Sequence, residues 1–141
     1  MMTRDLKQIK LGDFGISRPL QYDANGELIP AGTFNIGTVN HMAPEVCSGR
    51  PYGQATDIWG LGVVLYHLIN LYLPFDGQQE AEIISNIKIA NYPPISADGN
   101  YSKQLKDIVG RCLQVEPSHR PSIDSLIEIV EDLKFSQQDT T

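Results

Sequence analysis

TDIWGLGVVLYHLINLYLPF, residues 56–75, contains the longest apolar run of the chain, and the fold depends on how that run is interpreted. The apolar part, residues 58–73, is shorter than the roughly 18 residues of a membrane span and includes glycine, histidine and asparagine. We therefore predict a helix over Asp57–Leu71, capped by Thr56 and buried on all sides in a globular domain.

Length, charge and cysteine content narrow the class of protein. The 141 residues suffice for one domain with a core but not for two of ordinary size. Seventeen acidic against 11 basic residues give a net charge of -6, which argues against a nucleic-acid or anionic-membrane partner. No apolar signal segment follows Met1. Cys47 and Cys112 lack metal-ligand spacing, so we expect reduced thiols in a cytoplasmic protein.

Four further segments are typical of helices, so the sequence predicts a mainly α fold. The first begins at Ala43-Pro44-Glu45-Val46, and the second covers Gln78–Ala90 with Ile83, Ile84 and Ile87 at helical spacing. The third is capped by Ser102 and carries the stripe Leu105, Ile108, Val109, Cys112 and Leu113. The last opens at Pro121-Ser122, and Ile123, Leu126, Ile127, Val130 and Leu133 are expected to face inward.

The first third of the chain has a different pattern. Residues 1–12 alternate polar and apolar positions around a polar turn, which predicts a short N-terminal β-hairpin. Residues 13–39 are rich in turn formers and show no helical periodicity, and so long an irregular stretch is usually functional or disordered.

Several short motifs follow one another in an order that is informative as a whole. They are Asp13-Phe14-Gly15, Gly37-Thr38, Ala43-Pro44-Glu45, Asp57-Ile58-Trp59-Gly60-Leu61-Gly62, Leu73-Pro74-Phe75, and Arg111-Cys112-Leu113 followed by Arg120-Pro121. From Asp13 to about Lys134 the chain resembles the C-terminal lobe of a protein kinase. Residues 12–18 and 101–117 resemble the NIMA-related (NEK-type) serine/threonine kinases in particular.

The resemblance divides the chain into parts. Residues 1–135 correspond to a partial kinase domain, made of the hairpin at 1–12, an activation segment at 13–45 and a helical subdomain at 46–135. Residues 136–141 form a polar tail, which we expect to fray.

Arg4-Asp5-Leu6-Lys7 imitates the family's catalytic loop, H-R-D-L-K, but its surroundings do not fit. In the family, an asparagine that holds magnesium follows the catalytic aspartate by five positions, where this chain has Lys10. Thr3 stands where the histidine belongs. We therefore interpret the string as the hairpin turn that leads into Asp13. The Gly-rich loop, the phosphate-binding lysine and the catalytic base are then absent from these 141 residues.

The resemblance implies roles for the remaining motif residues. Asp13, with Phe14 and Gly15, belongs to the cofactor site, where Asp13 ligates the magnesium that bridges the ATP phosphates. Thr38 and Val39 belong to the loop that holds the acceptor peptide, although Val39-Asn40-His41 replaces the usual Pro-Tyr-Tyr.

Two hydroxyls and three charged residues complete the set of candidates. Thr33 and Ser17 are candidate phosphorylation sites, and unmodified loop hydroxyls are the alternative. Glu45 and Arg120 match a buried ion pair of the family. Asp57 matches a carboxylate that accepts backbone N–H groups of the catalytic loop.

The sequence is compatible with two functions. The chain is either a fragment of a serine/threonine protein kinase, inactive alone and binding neither ATP nor magnesium, or a degenerate lobe that binds a scaffold partner through residues 78–90 and the activation segment. A complete kinase acts on protein substrates with ATP and magnesium. Because the helix that covers the apolar 57–71 helix in the family is not among these residues, Val63, Val64, Leu65, Leu68 and Ile69 are expected to face solvent and to favour self-association.

Overall fold

A computed structural model of the chain describes residues 9–11, 21–27, 39–96 and 101–138, with the backbone alone for 135–138. These ranges contain five α-helices: α1 (Pro44–Cys47), α2 (Gln54–Asn70), α3 (Glu80–Lys88), α4 (Lys103–Cys112) and α5 (Ile123–Gln138). Short 3₁₀ helices lie at Val39–His41 and Pro117–His119. The predicted mainly α fold is confirmed. Most of the predicted hairpin at 1–12 lies outside the described residues, which show only isolated β-bridges at Ile9 and Tyr22.

The central helix α2 begins earlier than the sequence predicts. Gly53 is its N-cap, and Thr56 lies inside the first turn instead of capping it. The Thr56 hydroxyl accepts a hydrogen bond from the Gly53 N–H at 3.3 Å and donates one to Glu45 Oε1 at 2.8 Å. The helix ends at Asn70, and its C-cap is Leu71, whose φ of 63° lies in the left-handed region. Thr56 therefore stabilises the helix start from within and links it to α1.

The core is built around one face of α2. Trp59, Val63 and Tyr66 are completely buried there, and the Trp59 ring stacks on Phe75 with centroids 5.4 Å apart. A smaller cluster joins α2 to α4 and α5 through Ile58, Ile108, Cys112 and Leu126. Helix α2 therefore contributes side chains to both core clusters.

Helices α2 and α4 approach closely at Gly62. A Cβ at this position would lie 2.7 Å from Cys112 Cβ and 3.0 Å from Leu113 Cδ2. Real Cβ atoms do not approach so closely, so this crossing requires a glycine.

Helices α3 and α4 agree well with their sequence patterns. Helix α3 is shorter than the predicted 78–90 segment, and Ile83 and Ile87 are its buried residues. The Ser102 hydroxyl caps α4 by accepting the Leu105 N–H at 3.2 Å. The α4 stripe is confirmed, with Ile108, Val109, Cys112 and Leu113 buried and Leu105 packed partly against the core.

Only part of the predicted inward face of α5 is confirmed. Leu126 is buried and Leu133 packs against its cluster, but Ile123, Ile127 and Val130 are exposed. Ile129, on the same side as Leu126, contacts the core instead. The helix packs along a narrow stripe, so apolar residues on its flank lie outside the contact. It also continues to Gln138, into the stretch predicted as a tail.

One side of α2 carries apolar side chains that the described residues do not cover. Leu61, Val64 and Leu68 are 37%, 46% and 53% exposed. The prediction of exposure is thus confirmed for Val64 and Leu68. It is wrong for Val63 and Ile69, which are buried in the core. Leu65 is only partly exposed, because it packs against both core clusters. Burial of α2 on all sides is wrong as well. No helix in the described part of the chain is long and apolar enough to cross a membrane.

Candidate functional site

A buried ion pair anchors the segment that precedes α2. Arg120 Nη1 and Nη2 donate to Glu45 Oε1 and Oε2, each at 2.8 Å, and the two residues are 6% and 1% exposed. The partners are 75 positions apart in the sequence. The ion pair that the family resemblance implies is therefore present, with the bidentate geometry that gives strong pairs.

All five N–H groups of the Arg120 guanidinium have acceptors. Besides Glu45, the acceptors are the carbonyls of Gln114, Ala55 and Val115, at 2.8, 2.8 and 3.1 Å. The guanidinium carbon also lies 5.2 Å from the centroid of the Trp59 ring. Arg120 thus joins α1, the start of α2 and the loop before α5 at one buried point.

The ionised form of Glu45 is favoured despite its burial. Burial by itself raises the pKa of Glu45, but hydrogen bonds from Arg120, from the backbone and from Thr56 act against it, together with the Arg120 charge. The net effect lowers the pKa of Glu45 below its ordinary value. The pair is therefore charged at neutral pH.

The 39–41 segment, which corresponds to the predicted peptide-holding loop, is tied to the loop after α2. Asn40 Nδ2 donates to the Phe75 carbonyl at 2.8 Å, and Val39 packs against the core. Partial desolvation and the nearby His67 lower the pKa of His41. Asn40, which departs from the family's Pro-Tyr-Tyr, thus has a structural role that the sequence did not indicate.

Asp57 lies in the first turn of α2 with its side chain exposed. No hydrogen bond to its carboxylate comes from the described residues, and desolvation raises its pKa. Asp57 therefore keeps its place at the helix N-terminus, and its role toward a catalytic loop stays a prediction.

The other predicted site residues lie outside the described residues. These are Asp13, Phe14, Gly15, Ser17, Thr33 and Thr38. Within the described ranges, no group of three or more His, Cys, Asp or Glu side chains is arranged to hold a metal ion. The metal and cofactor roles therefore stay predictions.

A groove that sequence reasoning missed is formed by the segments that follow α2 and α3. Its volume is about 560 Å³, and it is lined by residues of the 72–76 and 91–94 segments together with Asn86. The sequence signal that could have indicated the groove is the tyrosine and proline present in both segments, Tyr72-Leu73-Pro74 and Tyr92-Pro93-Pro94.

Comparison with known proteins agrees with the motifs and the buried pair. The family model described as protein kinase domain matches residues 1–130. The chain belongs to the protein kinase domain family. A solved structure of the twitchin kinase region from C. elegans is similar to the chain, with a TM-score of 0.58 and 32% identity. The match covers 63% of this chain and 16% of the twitchin chain.

The curated relatives of this kinase-family chain are NIMA-related serine/threonine kinases, which confirms the narrower resemblance. The chain is 41% identical over 119 residues to serine/threonine-protein kinase Nek5 of Homo sapiens, covering 84% of this chain and 16% of Nek5. It is 34% identical to human Nek2 over 150 residues, covering 98% of this chain and 32% of Nek2. It is 33% identical to the G2-specific protein kinase nimA of Emericella nidulans over 120 residues, covering 84% of this chain and 16% of nimA. The chain thus spans less than a third of each of these relatives.

Proposed function

We propose that these residues form the substrate-facing part of a serine/threonine protein kinase and that they transfer no phosphate by themselves. The observation that carries the proposal is the Glu45–Arg120 pair, because it ties α1 to the start of α2, and the residues just before α1 correspond to the loop that would hold the acceptor peptide. The identity to NIMA-related kinases supports the same interpretation. The N-terminal hairpin and a cytoplasmic location stay predictions.

The proposed roles follow the motifs. Asp13 would ligate magnesium beside Phe14 and Gly15, and ATP with magnesium would supply the phosphoryl group in a complete domain. Magnesium keeps most of its water and needs phosphates as further ligands, so Asp13 alone should bind it negligibly. Thr38 and Val39 would contact the acceptor peptide.

Absence of transfer by the isolated chain follows from the same assignment. A general base contributes about 10²–10⁴-fold to rate, and positioning of the phosphates contributes more. We expect no turnover when the purified chain is incubated with Mg-ATP and casein. Turnover that Asp13→Ala abolishes would contradict this part of the proposal.

A chimaera tests the kinase assignment itself. Residues 13–135 of this chain would replace the matching part of the human Nek5 kinase domain, whose own N-terminal part would supply the missing groups. We expect phosphorylation of casein that Asp13→Ala abolishes and that Asp124→Ala, in the first turn of α5, leaves unchanged. A folded chimaera without activity that depends on Asp13 would reject the assignment.

A non-catalytic binding module is the second candidate, and the exposed side of α2 favours it. Exposed, adjacent apolar side chains such as Leu61, Val64 and Leu68 mark interaction surfaces or aggregation-prone sites. We expect the isolated chain to self-associate in sedimentation experiments and to bind a hydrophobic dye. Val64→Lys with Leu68→Lys should reduce both, whereas Gln104→Lys, on exposed α4 surface, should not. A wild-type monomer that binds no dye would contradict this expectation.

A further inference from the structure

The groove described above has the two walls of an aromatic binding site. The rings of Tyr72 and Tyr92 each stand nearly perpendicular to the buried Tyr66 ring, at 76° and 80°, with centroids 5.9 and 5.6 Å away. Tyr92 also packs edge-on against Phe75 at 5.7 Å. The two tyrosines are therefore held by a shared buried ring, and Tyr72 still exposes about half of its surface, 48%. The volume of the groove, about 560 Å³, falls in the range of ligand sites, about 300–1,000 Å³.

The backbone around the groove is held in place by hydrogen bonds. The Tyr66 hydroxyl donates to the Pro93 carbonyl at 2.9 Å, and Asn70 Oδ1 accepts the Ser96 N–H at 2.8 Å. Asn40 Nδ2 donates to the carbonyl of Phe75, which lies in the chain between the lining residues Pro74 and Asp76. A groove that is formed before its ligand arrives loses little free energy to ordering on binding.

Both lining segments begin directly after a residue with an unfavourable backbone conformation. Leu71 and Ala90 have φ values of 63° and 49°, and they are the non-glycine residues with positive φ among those that the structure describes. Such conformations are unfavourable for ordinary residues and persist where the surrounding structure demands them. In this protein they direct the 72–76 and 91–94 segments to the two sides of one groove.

The polar groups of the groove suit an extended peptide backbone. Asn91 Nδ2 donates to Asn86 Oδ1 at 3.0 Å, which orients both amides. The remaining amide atoms, Asn86 Nδ2 and Asn91 Oδ1, have no hydrogen-bond partner among the described residues. One free donor beside one free acceptor matches the C=O and N–H groups of an incoming chain.

The charge around the groove is negative. Asp76 lies in the groove, Glu80 and Glu82 lie in the first turn of the adjoining α3, and all three side chains are exposed. The sequence contains no lysine or arginine between Arg50 and Lys88, and Lys88 does not line the groove. A positively charged residue of a partner would therefore find carboxylates, and no cation among the described residues that line the groove.

We propose that this groove binds an extended, proline-containing segment of a partner protein that carries an adjacent lysine or arginine. Proline rings would pack between Tyr72 and Tyr92 on the surfaces of Pro74 and Pro93, since aromatic grooves recognise the polyproline conformation at low entropic cost. The two asparagines would bind the peptide backbone, and Asp76 would bind the cation. This inference goes beyond the proposed function, because the binding needs neither ATP nor a catalytic base.

The test is direct binding of a peptide to the whole 141-residue chain. Fluorescence anisotropy with the fluorescein-labelled nonapeptide GAPPRPPAG is expected to show saturable binding that weakens as salt is raised. The matched peptides GAPPEPPAG and GAAARAAAG should bind at least tenfold more weakly. The first replaces the cation by an anion that the carboxylates around the groove repel, and the second loses the proline rings.

Three variants locate the site. Tyr72→Ala should weaken binding at least tenfold, as expected for a central aromatic side chain. Asp76→Asn should weaken it about two- to fivefold, the effect of one exposed ion pair. It also preserves the acceptor for the Gly77 N–H, so it is informative even if Tyr72→Ala does not fold. Asp107→Asn removes an exposed carboxylate on α4, which contributes nothing to the groove, and should have no effect.

Several results would overturn the inference. They are the absence of saturable binding when the chain is titrated into the labelled peptide, equal binding of the glutamate-containing peptide, and insensitivity to both groove variants. Self-association that both groove variants abolish, in the absence of peptide binding, would assign the groove to a second copy of the chain instead. A negative result would leave the kinase assignment intact, because the chimaera assay measures that assignment separately.

Discussion

Replacing Arg120 by alanine removes the only countercharge that the described residues provide inside the protein for Glu45. Glu45 is 1% exposed, so water cannot replace the guanidinium without local opening. Of the side chains that bind it, only the Thr56 hydroxyl would still donate to it. Three backbone carbonyls would lose their donor as well.

The expected loss of stability follows from this geometry. Removing one partner of a buried ion pair typically costs about 3–5 kcal/mol, because the other charge stays buried and unpaired. Ordinary domains have a free energy of unfolding of about 5–15 kcal/mol, so Arg120→Ala should remove a large part of it. Arg120→Lys should have an intermediate effect, since an ammonium keeps the charge but cannot donate a hydrogen bond to each of the five acceptors.

The chain offers a matched control in Arg50. Its contact with Glu116 is 3.9 Å long, and both side chains are about half exposed, 47% and 53%. Surface pairs of this kind contribute about 0–1 kcal/mol. Arg50→Ala should therefore leave the stability almost unchanged.

Urea denaturation followed by circular dichroism measures all of these variants. A double-mutant cycle with Glu45→Gln and Arg120→Met adds a second measure, because the double variant should lose less stability than the sum of the two single variants. An Arg120→Ala variant with the stability of Arg50→Ala would refute the reasoning. So would strictly additive effects in the cycle.

Three further predictions concern acid pH, helix packing and thiol reactivity. Because the folded protein lowers the pKa of Glu45, the stability from its ionised form is complete above the ordinary value of 4.5 and should be lost as the pH falls below it. The urea midpoint of the wild type should therefore drop below about pH 4.5 more steeply than that of a variant without the paired arginine. Gly62→Ala should destabilise the protein by about 1–3 kcal/mol, since its Cβ would clash with Cys112, whereas Gly60→Ala, with nothing within 4 Å, should stabilise it by about 0.5–1 kcal/mol. Similar denaturation midpoints for these two variants would contradict the packing at that crossing. In mass spectrometry after iodoacetamide treatment at pH 8, half-buried Cys47 should be labelled before Cys112, whose pKa burial raises to about 11, and equal rates in the folded protein would contradict this.

Much of the helical architecture could be predicted from the sequence, because the relevant signals are local. Ser102 caps α4 as expected, and the stripe from Leu105 to Leu113 is the buried side of that helix. The order of the motifs indicated the kinase family, and through it the pairing of Glu45 with Arg120. No spacing rule could have shown that pairing, since the two residues are 75 positions apart.

Other features depended on which elements meet in space. The apolar residues of α2 and α5 cover more than one side of each helix, so periodicity could not show that Val63 is buried while Val64 and Leu68 are exposed. Likewise, no local pattern indicated that the Asn40 side chain donates a hydrogen bond to the Phe75 carbonyl. Capping and helical periodicity act between residues a few positions apart and can be read along the chain. Burial, and with it a groove formed by two separate segments, depends on contacts between distant parts of the chain, which only the tertiary structure brings together.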